Sequence, residues 1–135
     1  MKPVFADTVF FLALINRRDQ YHQSAVDHYA SLSESLLTTA WILVELANAI
    51  SASPLRRQFE HVLEALNEQS DAKVVEPSTE LYNEGCRLYL SRPDKEWSLT
   101  DCISFIVMER EGLVDVLTAD RHFEQAGFRI LLHTR

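Results

Sequence analysis

Pro3-Val4-Phe5-Ala6-Asp7-Thr8 begins the chain with a short apolar run that ends on an acid. Val114-Asp115-Val116-Leu117-Thr118-Ala119-Asp120 repeats the arrangement near the other end. Each run has the length of a buried strand, and a helical pattern follows each, Thr8 to Asn16 after the first and Arg121 to Ala126 after the second. The alternation continues between them. Leu36-Leu37-Thr38 reads as a strand before a helix from Ala40 to Ser51, and Lys73-Val74-Val75-Glu76 as a strand stopped by Pro77. Further helices are expected over Tyr21 to Leu32, from Pro54 to about Gln69, from a Ser78 cap to Leu90, and from Ser98 to Glu111, where Gly112 suits a left-handed cap. Phe128 to Leu132 is the last strand. Strands separated by helices require crossover connections, so the expected fold is α/β, a central mainly parallel sheet with helices on both faces.

At 135 residues the chain is the size of one domain, and residues 1–135 are read as such. Hydrophobic residues at 47% and charged residues at 24% describe an ordinary globular protein rather than a disordered one. No apolar run approaches the roughly 18–20 residues that span a bilayer, and Asp7 comes too early for a secretory signal. The expectation is a cytoplasmic protein with no membrane partner. Cys86 and Cys102 lack metal or redox spacing, and Cys102 lies in an apolar helical stretch as a small buried residue would. Three scattered glycines cannot build a phosphate-cradling loop, so no nucleotide cofactor is expected. The formal charge of −7 argues against a basic surface gripping a phosphate backbone.

Ligands of parallel α/β folds gather outside the carboxyl ends of the strands. Asp7 and Asp120 both stand at such ends, and both also suit the N-cap of the helix that follows. Asp115 lies at the start of its strand and belongs to the opposite rim. Asp101 forms with Ser98 a short-armed version of a capping box. Glu45 is the only charged residue between Glu34 and Arg56, within Ala40-Trp41-Ile42-Leu43-Val44 and Leu46-Ala47, which reads as a helix buried nearly all round. An unpaired carboxylate there is costly, so it must be protonated, paired with an arginine or bound to a cation. Asn48, three residues on, is expected on the same face.

Carboxylates brought together repel one another, and a hard divalent cation relieves that repulsion. Mg2+ takes oxygen ligands and leaves positions for water and phosphate, which suits phosphodiester hydrolysis.

The segments Val4-Phe5-Ala6-Asp7-Thr8, Leu43-Val44-Glu45-Leu46, Ser98-Leu99-Thr100-Asp101-Cys102 and Leu117-Thr118-Ala119-Asp120-Arg121-His122-Phe123 resemble the PIN domain. They are most similar to the VapC-type ribonuclease toxins of bacterial and archaeal toxin–antitoxin systems. The resemblance implies a three-layer α/β/α sandwich and an endoribonuclease dependent on Mg2+ or Mn2+. It makes Asp7, Glu45, Asp101 and Asp120 the catalytic and metal-binding acids, with Thr8, Ser98 and Thr118 as small hydroxyl residues beside them. It also implies an RNA substrate, a cognate antitoxin protein and a homodimer. Many members carry a further acid soon after the last strand's Asp, where this chain has Arg121-His122-Phe123. Whether one or two metals bind is left open.

The alternatives are a non-toxin RNA-processing nuclease of the same family and a non-catalytic PIN-like module that binds protein or RNA. A haloacid-dehalogenase-like phosphatase would need an Asp at position 9, which is Val. A receiver would need a Lys near the last strand, and residues 128 to 135 hold none. His122 is a candidate for work near the scissile phosphate, although a His after a strand is commonly only solvated. Arg17-Arg18 and Arg56-Arg57 read as solvated helix ends, and Tyr21, Tyr29, Trp41, Tyr82 and Tyr89 as core or interface residues.

Overall fold

β-Branched and aromatic residues in Val4–Ala6 (β1), Leu36–Thr39 (β2), Ala72–Val75 (β3), Asp115–Leu117 (β4) and Arg129–Ile130 (β5) form one five-stranded sheet in a computed structural model that describes residues 2–134. The order is β3-β2-β1-β4-β5, and every neighbouring pair is parallel. Phe5 registers with Leu37 on one side and Val116 on the other. β1, β2 and the Val116–Leu117 segment are buried, as the continuous apolar runs of a doubly covered sheet require.

Helices Thr8–Ile15 (α1) and His22–Ser31 (α2) join β1 to β2. Ala40–Ile50 (α3) and Gln58–Glu68 (α4) join β2 to β3. Thr79–Ser91 (α5) and Leu99–Arg110 (α6) carry the chain back across to β4, and Arg121–Gln125 (α7) leads to β5. Right-handed crossovers put α1 to α4 on one face and α5 to α7 on the other. In keeping with this, α1 meets α2 and α3, and α6 meets α5 and α7, while α3 and α6 also touch. The expected helix from Pro54 divides in two. Pro54–Arg57 is a 3-10 turn whose Leu55 N–H donates to the Ser53 hydroxyl, and α4 begins only at Gln58.

The connections leaving β1 and β4 run in opposite directions. Their shared carboxyl end is therefore the crevice where parallel α/β sheets bind ligands. Asp7 follows β1 directly, and Asp120 stands three residues beyond β4. Asp115, at the other end of β4, is held by a two-pronged pair with Arg129 at 2.7 and 2.8 Å, away from that crevice.

Candidate active site

Asp7 occupies the N-cap position of α1, yet its side chain makes no capping bond. One carboxylate oxygen instead accepts the Thr118 hydroxyl at 2.7 Å, a bond between the ends of β1 and β4. Thr118 Oγ1 in turn accepts the Asp120 N–H at 3.1 Å. One hydroxyl thus fixes the two strand-end acids. Asp7 is only 3% exposed, and burial pushes its carboxyl up to about 7. The Thr118 bond opposes that rise, while the charges of Asp101 and Glu45 add to it.

Glu45 accepts a short hydrogen bond from Thr8 Oγ1, which ties α3 to the start of α1. Thr39, closing β2, caps α3 through the Ile42 N–H at 3.2 Å, and Thr38 donates to the Ala6 carbonyl at 2.8 Å. These two threonines aim α3 across the crevice. They carried no sequence motif beyond a hydroxyl pair at a strand-to-helix junction. Glu45 is half-buried rather than enclosed, and Val44, Asn48 and Ala49 are exposed. The helix is thus one-sided, not buried nearly all round. Asn48 sits on its solvent side and, among the described residues, makes no hydrogen bond to any of the four acids.

Asp101 does cap α6. Its Oδ2 accepts the Ser98 N–H at 3.1 Å while its own N–H donates to Ser98 Oγ at 3.0 Å, a complete capping box. Burial raises the Asp101 pKa, and the nearby Asp120 charge adds to the effect. Asp120 caps α7 through the His122 N–H at 2.9 Å. Capping and site placement coincide at both residues.

His122 is not merely solvated. Its Nδ1 lies 3.1 Å from Asp101 Oδ2 and 3.5 Å from Asp120 Oδ1. An aromatic chain holds α6 and α7 in that relation. Trp97 and Phe123 each meet Phe105 edge-on, with centroids 5.1 and 5.0 Å away, and Trp97 Nε1 donates to Gln125 at 3.0 Å. Elsewhere, Tyr29, Tyr82 and Tyr89 are exposed rather than core. Arg17, Arg18, Arg56 and Arg57 are exposed as expected. Cys102 is buried, and its thiol is pushed up to about 11 by burial, which leaves it unreactive at neutral pH.

The arrangement is a crevice with two buried carboxyls, Asp7 and Asp101, and two half-buried ones, Glu45 and Asp120. Among the described residues no lysine or arginine forms an ion pair with any of the four. Among the described residues, donor atoms of Asp101, Asp120 and His122 lie within 4.8 Å of one another; with Asp7 and Glu45 alongside, the set is rich in oxygen and fits a hard divalent cation. The PIN domain family model matches residues 4–129. The chain belongs to the PIN domain family. Relatives of this PIN domain include the 23S rRNA-specific endonuclease VapC20 of Mycobacterium tuberculosis, 26% identical over 129 residues that cover 93% of this chain and 95% of that one. The crystal structure of Mycobacterium tuberculosis VapC20, a sarcin–ricin loop cleaving toxin, has the same fold with a TM-score of 0.85 at 24% identity, covering 96% of this chain and 99% of that one. DNA-bound VapBC from Salmonella typhimurium is more distant, with a TM-score of 0.62 at 19% identity over 96% and 97% of the two chains. No helix among the described residues of this PIN domain is long and apolar enough to cross a membrane.

Proposed function

We propose that this PIN domain is a divalent-metal-dependent endoribonuclease that hydrolyses RNA phosphodiester bonds as the toxin of a toxin–antitoxin pair. The observation that carries the reading is the gathering of Asp7, Glu45, Asp101 and Asp120 at the sheet's switch point, with Asp7 buried and, among the described residues, no lysine or arginine paired with it. Asp7, Glu45, Asp101 and Asp120 would hold Mg2+ or Mn2+. The bound ion supplies a water acidified toward neutral pH and stabilises the charge that builds on the phosphorane and leaving oxygen.

The chain's own residues do the positioning. Thr118 orients the Asp7 carboxylate, Thr8 orients Glu45, and the Ser98 N–H orients Asp101. Glu45 and Asp120 are the more exposed pair of the four. RNA as substrate is supported by the relative's rRNA-specific endonuclease activity, and an antitoxin partner by the VapBC neighbour. The proposed assembly is a homodimer in the cytoplasm.

The purified protein, incubated with total bacterial RNA, should produce discrete fragments in Mg2+ or Mn2+ and none in excess chelator. Asp7→Asn and Glu45→Gln should each lower the cleavage rate by about a hundredfold or more. Unchanged cleavage in both variants, or in chelator, refutes the reading.

A further inference from the structure

His122 follows Asp120 at the start of α7, and its ring faces two of the crevice acids. Nδ1 is the atom that faces the crevice, 3.1 Å from Asp101 Oδ2 and 3.5 Å from Asp120 Oδ1. One donor atom from each of Asp101, Asp120 and His122 lies within 4.8 Å of the other two. Two ligands at right angles around a cation, with bonds of about 2.1–2.2 Å, stand roughly 3 Å apart. The Nδ1–Asp101 contact, a hydrogen bond in the metal-free protein, has the length that two donors to one ion would have, and Asp120 lies close enough to join them.

The ring is also held in place. The backbone N–H of His122 is fixed on Asp120 Oδ1 at 2.9 Å, and the adjoining Phe123 is fully buried against Phe105. The His122 side chain is still 29% exposed, so an ion can reach it. Asp101 keeps its orientation when the imidazole turns its lone pair to a cation, because the Ser98 N–H holds the same carboxylate independently.

Resting on the metal-nuclease reading, we propose that His122 is a nitrogen ligand at the Asp101–Asp120 side of the site and tilts its preference from Mg2+ toward first-row transition ions such as Mn2+. Mg2+ is an oxygen-seeking ion that seldom takes imidazole, whereas imidazole strengthens binding across the transition series. An aspartate in the same place would keep the site all-oxygen and favour Mg2+.

Chelator-stripped protein loaded with sub-stoichiometric Mn2+ tests this by electron spin-echo spectroscopy. The unsubstituted chain should show the modulation of a directly bound imidazole nitrogen, and histidine carrying the heavy nitrogen isotope should alter that pattern. His122→Gln should bind Mn2+ without it, with the circular dichroism and metal-free melting of the parent. The ratio of Mn2+ to Mg2+ affinity, measured by competition, should fall about tenfold or more in His122→Asp. Bound Mn2+ with no nitrogen modulation, or modulation that persists in His122→Gln, overturns the proposal while leaving the nuclease reading standing. Failure of the unsubstituted chain to bind Mn2+ overturns both. Should His122→Gln not fold, the isotope experiment on the unsubstituted chain and the His122→Asp competition still decide.

Discussion

Asp7 concentrates the electrostatic strain of the molecule. Its carboxyl is raised from 3.8 to about 7, so between those values the metal-free folded state holds a proton that the unfolded chain releases. The contribution of Asp7 to stability therefore declines as pH rises from about 4 to about 7 and is level above that. Asp7→Asn removes the charge and keeps the shape. In chelator it should melt several degrees above the parent at pH 8, with the gap closing by pH 4.5, as followed by thermal denaturation; a gap independent of pH would contradict the assignment. Ser98 offers a second test. Ser98→Ala removes one arm of the capping box, which costs about 1 kcal/mol of stability. It should leave metal affinity nearly unchanged in calorimetry, because the backbone N–H of residue 98 that holds the Asp101 carboxylate survives the substitution. At this scale the strand-end acids were legible in the sequence, because a strand fixes the direction of the residue that follows it. The setting of His122 was not, since the contact of its ring with Asp101 comes from α6, 21 positions away in the chain.

Among the elements, α5 and α6 set how deeply Asp101 is seated. Gly85 is buried in α5, and a Cβ there would collide with the Ile103 side chain of α6, itself 1% exposed. Gly85→Ala should thus destabilise the protein by about 1–2 kcal/mol in chemical denaturation, the overpacking outweighing the helix preference for Ala. Phe105→Ala breaks the aromatic chain from Trp97 to Phe123 and should cost about 3–5 kcal/mol in the same assay. Element identity and order were readable from alternation of apolar runs with helical periods, and every expected strand and helix has a counterpart within a few residues. The local exceptions have physical causes. Pro54 starts a 3-10 turn because Ser53 and the Ser51 carbonyl, which accepts from Arg56, draw the chain tight there. α3 looked buried all round because Val44, Ala47 and Ala49 are apolar, yet Val44 is 59% exposed. Composition identifies an apolar residue but not the neighbour that covers it.

Across the whole molecule, the charge of −7 and the fold explain each other. With the four crevice acids set aside, 13 basic residues face 16 acidic ones, so a large part of the imbalance is concentrated in one place. Acidity that argued against a phosphate-binding surface becomes, at the switch point of β1 and β4, the means of holding a cation that attracts phosphate. Of the exposed arginines, Arg110 and Arg129 are engaged by acids of their own surface. The account stands on whether those carboxylates bind a divalent ion together. The most direct measurement is calorimetric titration of Mn2+ into chelator-stripped protein at pH 6 and pH 8, in buffers of different ionisation enthalpy. The account predicts saturable binding at both values, with about one proton released at pH 6, little at pH 8 and binding weakened at least tenfold in Asp7→Asn. No saturable binding, or equal affinity and proton release in Asp7→Asn, would contradict it.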